Sequence, residues 1–224
     1  MKSFYLILAI VVIFVGFIGA AVYFKGKSST SEPIPGIEVT ADDHVRGNGP
    51  ITLVEYSDFQ CPACRAYYPI VEELLKQRGE KITFVYRYFP LPQHFNAYPS
   101  AQAAEAAGKQ GKFFEMGDKL FTNQDAWANF SASAAFEVFK GYAAELGLDI
   151  TKFESDYKDS LTKGIIQNGY KSGVKLGVDQ TPTFFLNGKR LKPGPQSLDE
   201  FIKLIDEGST PTPAAPINVD NTQL

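Results

Sequence analysis

Apolar residues are arranged in three ways along the chain, and each arrangement predicts a different kind of element. From Phe4 to Phe24 they are continuous and no side chain carries a charge. At about 1.5 Å per helical residue this run spans about 31 Å, the thickness of a bilayer's hydrocarbon core. It predicts a transmembrane anchor with a short cytoplasmic tip over residues 1–25. A cleaved signal sequence is the alternative: its apolar region is usually only about 7 to 15 residues long, but Gly19-Ala20-Ala21 would satisfy a signal peptidase.

The second arrangement is a short run rich in β-branched and aromatic residues, at Ile51–Tyr56, Ile82–Tyr88, Thr183–Leu186 and Lys189–Leu191, and it predicts strands. Asn187-Gly188 joins the last pair as a two-residue hairpin turn. The third has helical period. It covers Ala66–Arg78, an alanine-rich stretch from Ser100 to Gly177 broken at Gly111, around Asn123–Asn129 and at Gly147, and a last helix after Ser197. There Ser197 and Glu200 make a capping box, and Phe201, Leu204 and Ile205 form an apolar face.

The predicted order is βαβ, helical insertion at about 93–178, then ββα, which is one α/β domain over residues 38–208 with a parallel first pair of strands. Residues 26–37, rich in Ser, Thr, Pro and Gly, predict a flexible tether, and the proline-rich residues 209–224 predict a disordered tail. Composition narrows the function. With a net charge of −3 and no lysine- or arginine-rich run, nucleic acid is not an expected partner, and no glycine-rich phosphate loop is present.

The chain has 2 cysteines, both in Cys61-Pro62-Ala63-Cys64. That spacing is shared by zinc and redox sites. Zinc needs four ligands, and His44, His94 and scattered carboxylates offer no ligand spacing, so neither a metal nor another cofactor is expected. As a staple the pair would do little, since closing so short a loop contributes roughly 2 kcal/mol against about 4.7 for a loop of about 100 residues. A redox role explains the position. Cys61 follows the first strand at the start of a helix, where unpaired N–H groups and the dipole favour a thiolate, so it is the expected nucleophile. Cys64, one turn on and more buried, is the expected resolving thiol. Disulfide donors persist outside the reducing cytosol, which orients the anchor with residues 38–224 outside, in a periplasm or at a cell surface.

Strand, then Asp58-Phe59-Gln60-Cys61-Pro62-Ala63-Cys64, then Tyr88-Phe89-Pro90-Leu91-Pro92, then Gly177-Val178-Asp179-Gln180-Thr181-Pro182-Thr183-Phe184-Phe185 resembles the DsbA-like branch of the thioredoxin superfamily over nearly all of residues 38–208. The resemblance implies a thioredoxin fold interrupted by a helical domain. It implies that Thr181-Pro182 is a cis-proline loop beside the cysteines, presenting backbone to an extended substrate with Pro62 and Ala63 facing it. It also implies that Glu55 is a buried acid relaying protons to Cys64, for which an ion pair with Arg87 or a lysine is the structural alternative. Pro69 is expected to kink its helix. The implied activity is donation of the Cys61–Cys64 disulfide to thiols of secreted or membrane proteins, with reoxidation by a DsbB-like or vitamin K epoxide reductase-like membrane partner. A reductase or isomerase, and a peptide-binding module without redox turnover, are the alternatives. Pro62-Ala63 lacks the histidine often found between the cysteines of strong oxidants, which lowers the expected oxidising strength. A monomer is expected. His44 and His94 read as solvated loop residues, with a place near the active site, where strand gives way to insertion, as the alternative for His94; Tyr67, Tyr68, Phe113, Phe114, Trp127 and Phe130 read as core.

Overall fold

The structure is a computed structural model that describes residues 37–208. The expected anchor, nearly all of the tether and the tail lie outside the described residues. Among the described residues no helix is long and apolar enough to cross a membrane. The element order is β1 (His44–Arg46), β2 (Ile51–Ser57), α1 (Pro62–Arg78), β3 (Ile82–Tyr88), α2 (Ala97–Gly108), α3 (Phe113–Thr122), α4 (Ala132–Glu145), α5 (Ile150–Lys158), α6 (Ser160–Lys175), β4 (Thr183–Leu186), β5 (Lys189–Arg190) and α7 (Leu198–Glu207).

The strands form a 5-stranded sheet in the order β1-β3-β2-β4-β5. β2 and β3 run parallel, from Ile51 opposite Ile82 to Ser57 opposite Tyr88, and the other pairs are antiparallel. The expected βαβ, insertion and ββα are all present. β1 adds to them: three half-exposed residues at an edge are too short to show a period. Asn187 (φ 47°) and Gly188 (φ 80°) hold the left-handed conformations of the hairpin turn. Asn187 also accepts from the Thr52 amide through Oδ1 at 2.9 Å and donates its own amide to the Thr52 carbonyl at 2.8 Å, which locks the β4–β5 hairpin in register with β2.

The insertion packs around α2, whose alanines at 101, 103, 104, 106 and 107 are all buried. Small side chains let α3, α4, α5 and α6 approach it closely. Its breaks fall at Gly111, around Asn123–Asn129 and at Gly147 as expected, with one more at Asp159, which accepts from the Leu161 amide and starts α6. Trp127 is fully buried and donates Nε1–H to the Leu120 carbonyl. Phe130, expected in the core, is 48% exposed; it lies in the turn just before the Ser131 cap of α4, where the chain swings outward.

Two layers cover the sheet. Leu53, Phe84, Tyr86 and Phe184 point to the face that α1, α7 and the insertion bury, while Val54, Tyr56, Val85 and Phe185 point to the other. On that second face α6 lies unusually close. A Cβ at Gly173 would stand 2.6 Å from Phe89 Cδ2 and 3.0 Å from Tyr56 Cδ1, and one at Gly169 would stand 3.0 Å from the Tyr88 carbonyl oxygen.

Candidate active site

The chain leaves β2 at Ser57 and turns through Asp58-Phe59-Gln60 into α1. The Asp58 carbonyl accepts from the Cys61 amide at 3.0 Å, and its Oδ1 accepts from the Gln60 amide at 2.8 Å. This turn makes Cys61 the N-cap of α1, with Pro62 in the first turn, where the missing N–H is no loss and the fixed φ suits a helix start. The helix therefore begins one turn earlier than its apolar period announced. Phe59 fixes the turn from below, with its ring centroid 4.9 Å from those of Tyr86 and Phe121.

The side chains of Cys61 and Cys64 are both buried, at 5% and 0% exposure, while Pro62 and Ala63 between them are exposed. Cys61 is shifted down to about 6, mainly because the Cys64 thiol donates a hydrogen bond to its sulfur; burial opposes this, and the Thr181 side chain and the amides of Cys64 and Ala63 add to it. Cys64 is shifted up, by burial first and then by the same hydrogen bond and the negative charges of Cys61 and Glu55. At neutral pH one sulfur is ionised and the other holds its proton.

Glu55 lies on β2 with the same buried face, at 5% exposure. Burial pushes its carboxyl up to about 7; the Ser57 hydroxyl, donating at 2.7 Å, pulls it down, and the Cys61 charge raises it again. The alternative partner is elsewhere. Arg87 points to the opposite face, where Nε and NH2 each donate to Asp43 at 2.7 Å and NH1 donates to the Tyr56 hydroxyl at 3.0 Å. The strand period explains the separation, since Glu55 is opposite Tyr86 and Arg87 opposite Tyr56 in the register.

Thr181-Pro182 is a cis peptide, as is Lys192-Pro193. The Cys61 thiol donates to the Thr181 carbonyl at 3.4 Å, which brings the loop and the nucleophile together. Beside them a cavity of about 530 Å³ is lined by Ala63, Tyr67, Thr181, Pro182, Arg190 and Pro193 among others. All residues singled out for the site, Glu55, Cys61, Pro62, Ala63, Cys64, Thr181 and Pro182, thus lie in one neighbourhood.

Sequence reasoning missed the residues that hold Cys61 from the insertion. Gln124 Nε2 donates to the Phe59 and Cys61 carbonyls at 2.8 and 3.2 Å. Gln60 Nε2 donates to the Ala128 carbonyl at 2.7 Å, and Asn96 Nδ2 braces the same segment through the Trp127 and Phe130 carbonyls. Buried amides have no periodic or spacing signal. The histidines correct an expectation: neither is simply solvated. His94 Nδ1 lies 2.6 Å from Asp58 Oδ2 with its side chain 18% exposed. His44 Nε2 lies 2.7 Å from Glu105 Oε2, and its ring stacks on Phe113 at 3.4 Å. Among the described residues no group of three or more His, Cys, Asp or Glu is arranged to hold a metal.

Known proteins can now be set beside this geometry. The profile of a thioredoxin family matches residues 40–207. A thioredoxin-like oxidoreductase from Silicibacter pomeroyi DSS-3 superposes with a TM-score of 0.63 at 26% identity, over 75% of this chain and 93% of that one. Alpha-DsbA1 from Wolbachia pipientis superposes at 0.64 with 22% identity, over 76% and 92%. A protein from Mycobacterium sp. (strain KMS) named Na(+)/H(+) antiporter NhaA 1 is 35% identical over 173 residues, 74% of this chain but 27% of its own length. This chain therefore spans about a quarter of the curated relatives it matches, and the antiporter name is that of the longer proteins. Family profile and fold agree: the chain belongs to the thioredoxin family.

Proposed function

We propose that this chain is a membrane-anchored enzyme that works outside the cytoplasm and donates its Cys61–Cys64 disulfide to thiols of secreted or membrane proteins. One arrangement carries the reading: Cys61 caps the head of α1 with its thiol 3.4 Å from the Thr181 carbonyl of the cis-proline loop, and there its pKa is lowered while that of the buried Cys64 is raised. A stabilised thiolate stabilises the reduced enzyme and so makes the disulfide more oxidising.

On this reading the exchange runs in two displacements. A substrate thiolate, with its chain extended along Thr181-Pro182 and the adjoining cavity, attacks Cys61 Sγ. The bond to Cys64 breaks, a mixed disulfide forms on Cys61, and Cys64 leaves with the electron pair and takes a proton from Glu55, whose carboxyl at about 7 is matched to that transfer. A second substrate thiolate attacks the substrate sulfur and releases Cys61 as a thiolate. The substrate loses two electrons and the enzyme holds them as a dithiol, to be taken on by a DsbB-like or vitamin K epoxide reductase-like membrane partner. The apolar run from Phe4 to Phe24 supports the anchor, and the instability of disulfides in reducing compartments supports the outer location.

The test is the reduction potential, read by thiol alkylation after equilibration with glutathione. We expect a value between those of thioredoxin, about −270 mV, and DsbA, about −120 mV, because the helix start and the Cys64 thiol lower Cys61 while no imidazole lies between the cysteines. A value at or below thioredoxin's reverses the direction of electron flow and favours a reductase.

A further inference from the structure

Asp58 joins two stretches of chain. Its backbone carbonyl holds the Cys61 amide at 3.0 Å, its Oδ1 holds the Gln60 amide at 2.8 Å, and its Oδ2 holds both the Leu91 amide at 3.0 Å and His94 Nδ1 at 2.6 Å. The carboxylate is completely buried and the histidine nearly so, at 0% and 18% side-chain exposure. All of its donors converge on the turn that delivers the nucleophile to the head of α1.

We infer that Asp58 and His94 are positioning residues for Cys61, the pair clamping the Asp58–Cys61 turn to the Leu91–His94 segment so that the sulfur meets the α1 amides and the Thr181 loop at the reach that exchange needs. This rests on the exchange reading above and names a part of the machinery outside the cysteines, Glu55 and the proline loop. The physical case is one of completeness. A buried carboxylate is tolerated only when it is paired and hydrogen-bonded. With His94 in place the Asp58 carboxylate has three partners, one on Oδ1 and two on Oδ2. Without it, two backbone amides are left to offset a buried charge, and the carboxylate rotates toward water or takes up a proton; burial already favours the protonated form. Either response releases a contact that fixes the turn. Cys61 is held at its other end by Gln124 and by the Arg65 amide, which both donate to its carbonyl, so loosening the amide end swings the residue about a fixed point. A displacement of about 1 Å at a reacting atom is enough to slow chemistry by as much as about a hundredfold.

The test uses two polar replacements that differ in where they place a donor. In His94→Asn the amide nitrogen stands where Nδ1 stood and still reaches Asp58; in His94→Gln it stands near the Nε2 position and does not. The readouts are the rate of Cys61 alkylation by iodoacetamide at neutral pH and the reduction potential of the couple, with circular dichroism checking the fold. We expect His94→Gln to slow alkylation by about tenfold and to move the couple toward more reducing values, and His94→Asn to stay within about twofold of wild type. Equal rates in wild type and both variants overturn the inference. So do two equally slow variants, which would make the imidazole's charge the cause, and so does loss of the fold in both, which would make the pair structural. A wild type whose Cys61 alkylates no faster than free cysteine sinks the exchange reading itself and takes the positioning role with it.

Discussion

The two faces of the central sheet each bury a charged side chain at the same depth, Glu55 at 5% and Arg87 at 4% exposure, and they treat it in opposite ways. On the α6 face Arg87 is enclosed by Asp43 on two sides, the Tyr56 hydroxyl and the Glu38 carbonyl. On the α1 face Glu55 has one hydroxyl, from Ser57, and a sulfur of variable charge nearby. A buried ion supplied with partners is architecture, because any change in its charge leaves those partners unpaired. A buried acid left short of partners changes its charge cheaply. On the proposed exchange reading, proton traffic belongs to the α1 face, and five substitutions test that division.

The largest effect should come from the sulfurs themselves. Cys61→Ser should abolish thiol-disulfide exchange, whereas Cys64→Ser should accumulate mixed disulfides through Cys61, visible on non-reducing gels. Faster labelling of Cys64 than of Cys61 by iodoacetamide in the reduced wild type would reverse their roles and remove the chemistry from the head of α1.

Next comes the opposite face. Arg87→Met takes the guanidinium from Asp43 and leaves it the Thr40 amide and hydroxyl, and breaking a buried pair from one side costs about 3 to 5 kcal/mol. We expect the urea midpoint to fall accordingly while exchange per folded molecule is unchanged. If exchange drops in a fully folded variant, the faces are coupled and the contrast fails.

Glu55→Gln should act in the other direction on stability. The folded carboxyl is raised to about 7 from 4.5, so the native state favours the protonated form. That contribution is fully present below pH 4.5 and is lost as pH rises from 4.5 to 7, where the unfolded chain ionises and the folded one resists. Glutamine removes the penalty. The variant should be more stable than wild type by about 3 kcal/mol at pH 8, and no more stable than it at pH 4. Exchange should nevertheless slow, by about a hundredfold if Glu55 moves the Cys64 proton, which is the lower range for general acid–base groups. A variant that is stabilised at pH 8 and undiminished in exchange would leave Glu55 without a chemical role.

These tests draw on two kinds of knowledge, and the sequence held only one of them. The bounds of β3 and β4, the hairpin at Asn187-Gly188 and the breaks of the insertion were legible because period and turn chemistry are local. The cysteine pair and Glu55 were legible because a redox spacing and an acid in an apolar run stand out from their neighbours. The face that Arg87 occupies was open to the same alternation, but its partner Asp43 sits in a loop that only the fold brings near. Gln60, Asn96 and Gln124 support Cys61 across the boundary between sheet and insertion, and nothing in an isolated glutamine or asparagine announces such a contact. His94 was misread for the same reason: Asp58 is close to it only after β3 has crossed beside β2.

The smallest expected effect is at Thr181, and it sharpens the account of how Cys61 becomes a thiolate. In the thiol form the S–H donates to the Thr181 carbonyl at 3.4 Å, and the Thr181 hydroxyl is buried without a hydrogen-bond partner among the described residues. Ionisation removes the donor from that carbonyl and creates an acceptor, so the hydroxyl turns to the sulfur and stabilises the charge, consistent with the lowering that Thr181 contributes. Thr181→Val keeps the shape and deletes that donor. Sulfur is a weak acceptor, so the loss should be near the low end for a hydrogen bond to a charged group, about 1.5 kcal/mol or about one pKa unit. Starting from about 6, Cys61 should then titrate near 7, and its ionised fraction at pH 7 should fall from about nine-tenths to about one half, roughly a twofold loss of alkylation rate. Stability should hold or rise slightly, because a hydroxyl with nothing to bond to in the thiol form is replaced by a methyl group. The titration is read directly from thiolate absorbance in the ultraviolet. An unchanged midpoint would assign the low Cys61 value to Cys64 and the α1 amides alone, and would leave Thr181 to act on the substrate through its backbone.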